Sequence, residues 1–282
     1  MNKLTVLMPL KNYHPIFLDK AIESLSKQTS PNWNLLIIVE KSDFNKFIIL
    51  LKKELKDPRI EIIINKGRKL AGAFNTGMKQ ALTDFVAILL ADDMWAPEAV
   101  ETLDHYISEN PGIDFFHSSR VIIDENDNYI SKVYKSRESF ITDDFILGSP
   151  VKHLLCWRIS KALSFGGLDE SLNSVGPDDY DFPWTMAEEG ASFKAIDECL
   201  YYYRSHIKSF RLTTHLPLSV HEKEIERILL KHGISNEIIQ KRITTGKKTY
   251  LRQCLYNTRM ERFFKRLLRL QPVLKIDNIY QD

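Results

Sequence analysis

Two adjacent aspartates, Asp92 and Asp93, follow the apolar run "VAILL" (Val86–Leu90) and precede "MWAP" (Met94–Pro97). Like charges this close repel, and each is better solvated in water than at the end of a buried strand. Such a pair suits a hard divalent cation, Mg²⁺ or Mn²⁺, which takes carboxylate oxygens and keeps positions open for phosphate. The same residues also read as a solvated turn and N-cap before the helix that Pro97 opens. A second cluster lies in "GPDDYDF" (Gly176–Phe182), where Asp178, Asp179 and Asp181 stand at the start of an expected helix. The helix dipole there favours a carboxylate, which is the form that takes a proton from a hydroxyl. Capping is the alternative, although three acids in four residues exceed what a cap needs. His206, within "YYYRSHIKS" (Tyr201–Ser209), is a third candidate. Imidazole suits a Mn²⁺ site or a phosphate contact, and a packed core histidine is the competing reading.

The elements that must position these groups are legible as alternating periodicities. "LTVLMPL" (Leu4–Leu10), "NLLIIVE" (Asn34–Glu40), "RIEIIIN" (Arg59–Asn65) and "DFVAILLA" (Asp84–Ala91) read as strands. "PIFLDKAIESLSKQ" (Pro15–Gln28), "FNKFIILLKKEL" (Phe44–Leu55), "LAGAFNTGMKQAL" (Leu70–Leu82) and "APEAVETLDHYISEN" (Ala96–Asn110) read as helices. Strands this apolar are buried on both faces, which predicts a parallel sheet covered by helices. Open sheets of that kind bind ligands at the carboxyl ends of their strands, where "PLKN", "VEKSD" and "ADD" collect polar and acidic groups. Beyond residue 112, "DFFHSSRVIIDENDNYISKVY" (Asp114–Tyr134) predicts two strands around an "ENDN" turn. "HLLCWRIS" (His153–Ser160) and "ASFKAIDECLYYYRSH" (Ala191–His206) predict further strands, and the chain after Pro217 reads as helical.

Composition bounds the class. The 282 residues are 44% hydrophobic and 27% charged, an ordinary globular balance. The net charge of +2 hides an asymmetry: residues 241–282 carry 11 Lys/Arg against 3 Asp/Glu, and the first 240 carry 28 against 34. An acidic body with a basic tail and no recognition motif argues against nucleic acid. Cys156, Cys199 and Cys254 are widely spaced without a CxxC, which favours reduced thiols and a cytoplasmic protein. No apolar run approaches the roughly 18 residues of a membrane span. The amphipathic, basic stretch 247–270 reads either as a helix packed on the body or as a peripheral contact with an anionic membrane surface.

Taken in order, these pieces resemble the GT-A glycosyltransferases of the inverting family 2, over about residues 3–210. The resemblance rests on "TVLMPLKN", on "LDKAIESLSKQTSPNWNLLIIVEKSD", on "AGAFNTGMKQAL", on "LLADDMWAP", and on "GGLDESL", "PDDYDF" and "YRSH". It implies an α/β Rossmann-like, mostly parallel sheet. A nucleotide-sugar half would span 1–110, an acceptor and catalytic-base half 111–215, and a helical basic extension 216–282. It implies a nucleotide-diphosphate sugar donor, a saccharide or lipid-linked acceptor in surface polysaccharide synthesis, and a divalent metal. In the family's pattern Glu40 falls near the nucleobase and Asp92 on the ribose-diphosphate motif. Asp93 falls on the metal, with His206 able to approach it. Asp179 falls on the catalytic base, with Asp178 beside it. Pro9, Asn12, Asn75 and Trp184 are expected to line the substrate site. The chain departs from the pattern at Leu90, where a further Asp is frequent, at Phe74 and Thr185, where Arg is frequent, and at Lys41. A sugar nucleotidyltransferase is a competing class. It would be expected to carry a Gly-rich basic loop after the first strand, and "PLKNYHP" has no Gly. A non-catalytic nucleotide-sugar-binding relative is the other alternative.

Overall fold

The computed structural model describes residues 4–172, 176–205 and 217–255. Strands β1 (Leu4–Leu10), β2 (Trp33–Val39), β3 (Ile60–Ile64) and β4 (Phe85–Ile88) pair in parallel, in the order β3-β2-β1-β4. Val6, Leu7, Leu35, Ile37, Val86 and Ile88 are all inaccessible to solvent, so side chains on both faces of these strands are buried. Each such side chain contributes roughly 1.5–3 kcal/mol relative to exposure. The helices that cover them are α1 (Pro15–Ser26), α2 (Phe44–Leu50), α3 (Lys69–Gln80) and α4 (Ala99–Glu109). The expected helix over 44–55 divides: α2 ends at Leu50, and a separate 3-10 turn covers Glu54–Lys56.

The sheet is mixed rather than wholly parallel. Strand β6 (Phe115–Ile123) is antiparallel to β7 (Leu155–Arg158), which is itself antiparallel to β4. Strand β8 (Phe193–Arg204) runs parallel to β6 and ends the sheet against β5 (Met94–Trp95). Two residues show no periodicity, so β5 was not expected from sequence. The "ENDN" turn forms as predicted: the Asp124 carboxylate accepts from the backbone N–H groups of Asn126 and Asn128 at 2.8 and 3.0 Å. The chain then returns through bridges Ile123–Tyr129 and Arg120–Tyr134.

Helices α5 (Ile159–Ser164) and α6 (Phe182–Glu188) complete the body. After Pro217 come α7 (Leu218–Lys231) and α8 (Asn236–Leu255). Ile225, Ile228 and Leu229 of α7 join Phe145, Tyr180 and Trp184 in a third core cluster. The early part of the extension is therefore packed on the body. The side-chain placement of the basic stretch 247–270 lies outside the described residues.

Helix α3 approaches its surroundings closely through glycine. A Cβ on Gly72 would lie 2.4 Å from the carbonyl carbon of Gly67. Gly to Ala within a helix ordinarily stabilises by roughly 0.5–1 kcal/mol. Here the sign is expected to reverse: Gly72→Ala should cost about 1–3 kcal/mol through overpacking. A urea melt that shows equal or greater stability would contradict this contact.

Candidate active site

The acidic groups assemble at the carboxyl ends of the parallel strands. Pro9 sits near the end of β1, after its pairing with β4 has stopped at Leu7–Ile88. Proline has no N–H for a ladder, and here none is needed on that side, because β4 has already ended at Ile88. Asn12 is exposed in the loop that follows. Glu40 follows β2, and its Oε1 accepts from the Asn65 amide at 3.1 Å. Beyond β4 the chain turns through Leu90–Asp93, closed by Asp93 N–H donating to Leu90 O at 3.1 Å. That turn delivers Asp92, which is half-buried, and Asp93, which is 1% exposed.

Asp93 is held by β8. Its Oδ2 accepts from the Tyr201 hydroxyl at 2.7 Å and its Oδ1 from the Arg204 backbone N–H at 2.7 Å. Burial and the neighbouring Asp92 charge push the Asp93 carboxyl well above the usual range, against these two hydrogen bonds. The Arg204 guanidinium, itself 1% exposed, donates to Asp92 O at 2.8 Å and to Asp124 O at 2.9 Å, and pairs with the Asp127 carboxylate. It thus ties the Asp92–Asp93 turn to the "ENDN" turn. Leu90, where the family frequently has an acid, packs against the core that holds Leu7, Phe74, Ile88 and Trp157. Phe74, where it frequently has Arg, is buried edge-on to Trp157.

The second acidic cluster stands on a one-turn π-helix, Pro177–Asp181, entered through Gly176 at φ +49°. This left-handed conformation favours glycine, and a Cβ there would lie 2.7 Å from that of Tyr180. The three acids have three environments. Asp181 is 1% exposed and accepts from Lys231 Nζ at 2.8 and 2.9 Å, with His232 Nε2 at 3.1 Å. It joins α6 to the end of α7, which accounts for the acid in excess of capping. Asp178 is buried, and burial together with the Asp179 charge pushes its carboxyl up to about 8. The Asp179 side chain is 47% exposed, and its Oδ2 lies 3.9 Å from His153 Nε2. Adjacent carboxyls with such different environments are a recurrent arrangement in acid–base sites.

Asp178 stabilises the fold better as an acid than as a carboxylate. Its folded pKa lies above the unfolded value of 3.8, so stability falls as pH rises between 3.8 and about 8. Asp178→Asn is therefore expected to raise the melting temperature more at pH 9 than at pH 5. Equal shifts at both pH values would contradict the buried, protonated form.

A short path of side chains connects the two clusters. From Asp93 it runs through Tyr201, whose ring stacks on that of His153 with centroids 5.1 Å apart, to Asp179. The two aspartates therefore lie at the ends of one chain of side-chain contacts, although 86 positions separate Asp93 from Asp179 in the sequence. A cavity of about 640 Å³ lies elsewhere, lined by Leu4, Thr29, Asp84, Asp104 and Arg158. It stands at the amino ends of β1 and β4, the end of a parallel sheet that does not ordinarily bind ligand.

Two expected site residues make structural contacts. Asn75 is buried, and its amide both accepts from Leu168 N–H and donates to Leu168 O, each at 2.9 Å. It also donates to Glu170 Oε1 at 2.9 Å, so it clamps the "GGLDE" loop onto α3. Trp184 is a core residue, stacked 4.0 Å from His232 and 5.7 Å from Phe145. His206 lies outside the described residues. Conversely, Tyr201, His153 and Arg204 were not assigned roles from sequence. A tyrosine run and an isolated His carry no spacing signal, and an Arg at a strand end reads as solvated.

Among the described residues no three His, Cys, Asp or Glu side chains form a closed cage for a metal. What exists is a carboxylate pair whose mutual repulsion a cation would relieve. That donor set fits a hard cation which keeps water and phosphate oxygens in its remaining positions.

Comparison with known proteins agrees with this geometry. The family model described as Glycosyl transferase family 2 matches residues 5–157, just over half the chain. An uncharacterized glycosyltransferase of Methanocaldococcus jannaschii is 29% identical over 232 residues, covering 78% of this chain and 79% of the relative. The UDP-Glc:alpha-D-GlcNAc-diphosphoundecaprenol beta-1,3-glucosyltransferase WfgD of Escherichia coli is 35% identical over 126 residues, covering 44% of this chain and 47% of that protein. The crystal structure of S. aureus TarS in complex with UDP-GlcNAc superposes with a TM-score of 0.62 at 15% identity, covering 86% of this chain and 70% of that one. This likeness shows the GT-A fold. Strands that end in acids along one sheet edge, a GT-A framework and a family match that spans the Asp92–Asp93 turn lead to one conclusion: the chain belongs to glycosyl transferase family 2 and is a glycosyltransferase.

Proposed function

We propose that this enzyme moves a sugar from a nucleoside-diphosphate sugar to a hydroxyl of a glycan or lipid-linked acceptor, in one inverting displacement. The observation that carries the reading is the continuity of Asp93, Tyr201, His153 and Asp179 in one site. The matched stretch ends before Asp178, so the base assignment rests on this geometry and on the motif resemblance.

In this reading Asp179 is the base. Its carboxylate is accessible to an acceptor hydroxyl and takes the proton as that oxygen attacks the anomeric carbon. Asp178 is kept protonated by burial and by its charged neighbour, and it is not the proton acceptor. Tyr201 and the Arg204 backbone orient Asp93, and the Arg204 guanidinium fixes the Asp92 carbonyl. Asp92 and Asp93, with His206 as a further candidate, would hold a divalent cation, Mn²⁺ or Mg²⁺. When bound, such a cation offsets the charge that develops on a departing diphosphate. Asn12 and Glu40 border the donor cleft. The nucleotide-sugar class is supported by a structural neighbour, mannosyltransferase PcManGT of Pyrobaculum calidifontis, solved with GDP-Man and Mn²⁺. WfgD uses a diphosphoundecaprenol-linked acceptor, and a relative in Rhizobium meliloti is named for succinoglycan biosynthesis. They support a role in surface polysaccharide synthesis.

The test is nucleoside diphosphate release. UDP-Glc, UDP-GlcNAc and GDP-Man are each offered with Mn²⁺ or Mg²⁺, for the wild type and Asp93→Ala. Release that needs the metal and drops at least a hundredfold in Asp93→Ala supports the reading. Pyrophosphate formed from a nucleoside triphosphate and a sugar phosphate would replace it with nucleotidyl transfer. Failure of every donor to bind would leave a non-catalytic relative.

A further inference from the structure

Beside Asp179 the chain buries a concentration of basic groups that the reaction as described does not use. His117 and Arg120 come from β6, and Lys152 and His153 from the segment leading into β7. His117 is 1% exposed and neither ring nitrogen has a hydrogen-bond partner. His153 is 2% exposed, with Nδ1 unpartnered and Nε2 facing Asp179 at 3.9 Å. The Nε of Arg120 is likewise buried without a partner. Lys152 donates to Ser149 O at 2.8 Å, a bond that uses one of its three donors.

These groups sense one another. Burial and Arg120 lower the Lys152 ammonium to about 8. Burial lowers both imidazoles to about 4, with Lys152 adding to the effect at each and Asp179 opposing it at His153. Buried polar atoms are normally paired, and each one left unpaired costs free energy. Arg120 and Lys152 therefore set two positive charges against the single carboxylate of Asp179, and the two neutral imidazoles add ring nitrogens without partners. Arg120 and Lys152 are only partly buried, so the site is open to solvent through them.

We propose that Arg120, Lys152, His117 and His153 bind an anionic oxygen group, phosphate or carboxylate, carried by the acceptor. The assignment to the acceptor rests on the reading of Asp179 as its base; the leaving diphosphate of the donor belongs at Asp92–Asp93, on the far side of Tyr201. Arg and Lys are the side chains that recognise such oxyanions. A neutral acceptor would leave the unused donors buried, so the cluster selects a charged one by penalising its uncharged counterpart.

The test reads the two imidazoles by NMR in the full chain, without donor or metal, while inorganic phosphate, glucuronate or glucose is titrated in. Phosphate or glucuronate is expected to shift the ring resonances of His117 and His153, and glucose to leave them in place. Lys152→Met should weaken that binding roughly ten- to a hundredfold, Lys152→Arg should retain most of it, and donor affinity should be unchanged in both. A response to phosphate alone points to a phosphorylated or diphosphate-linked acceptor; a response to glucuronate alone points to an acidic glycan. The proposal is overturned if neither anion moves the rings, or if binding survives in the Arg120→Gln/Lys152→Met double variant. Because Lys152→Arg keeps the charge and the stem, loss of binding in both lysine variants with loss of fold is told apart by circular dichroism. Nucleoside diphosphate release without anion binding would remove this inference alone. Anion binding without any donor turnover would remove the transferase reading and leave the basic site.

Discussion

Asp179→Asn is expected to lower turnover by roughly 10²–10⁴-fold, the usual contribution of a positioned general base. The substitution keeps shape and removes only the ability to take a proton. The Asp179 side chain is about half exposed, and it approaches the His153 ring only to 3.9 Å. The fold therefore loses little, and the melting temperature should stay within about 2 °C, corresponding to less than ~1 kcal/mol for a chain of this size. Donor affinity should be unchanged, because the acidic pair that faces the leaving group is untouched. A fall in kcat with constant donor KM is the signature of an interaction made only in the transition state. Turnover within fivefold of the wild type would exclude Asp179 as the base. Asp178→Asn gives the internal contrast: it alters a buried group already held as the neutral acid, so its effect should be larger on stability than on rate.

Arg204→Met is expected to be the most damaging single change to the donor side of the site. Methionine fills much of the volume, so the loss is one of charge and hydrogen bonds rather than of packing. The Asp92 and Asp124 carbonyls lose a donor, and the Asp127 carboxylate loses its buried partner. Removing one partner of a buried pair costs about 3–5 kcal/mol. Asp127 also pairs with Lys20 and is 24% exposed, so the lower part of that range is expected. The Asp93 carboxylate keeps the Arg204 backbone N–H and Tyr201, but the Asp92 carbonyl loses its tie to the guanidinium, and the activity that remains should need more Mn²⁺ or Mg²⁺ for half-saturation. Urea unfolding and a metal titration of turnover read the two effects separately. Unchanged stability would show that Arg204 is dispensable as the clamp, and an unchanged metal requirement would show that the turn does not depend on it.

The legible parts of this protein are those whose signal is local. Apolar runs such as "NLLIIV" and "FVAI" declare buried strands because a parallel sheet hides both of their faces. Pro9 and the acids after β2 and β4 mark the carboxyl edge, where such sheets bind ligands. The helix α3 was read within two residues of its ends, since small and apolar residues recur at its period. The third acid of "GPDDYDF" was less legible: Asp181 looks like its neighbours in sequence, and its ties to Lys231 and His232 run to residues fifty positions away. The clamp made by Asn75 is hidden for the same reason, because its partners Leu168 and Glu170 lie in a different motif.

By itself, then, the sequence determined the sheet, its acidic edge and the two clusters of aspartates, because apolar periodicity and turn chemistry act over a few neighbouring residues. The tertiary structure decided how those clusters meet. Pairing of β7 with β4, Ala87 opposite Cys156, carries His153 past the end of β4. Pairing of β8 with β5, Trp95 opposite Tyr201, sets the tyrosine beside the Asp93 turn. Both contacts join residues some 70 to 110 positions apart, and they arise from strand order and direction in a mixed sheet. No local pattern encodes that order, so only the folded chain joins Asp93 to Asp179 through Tyr201 and His153.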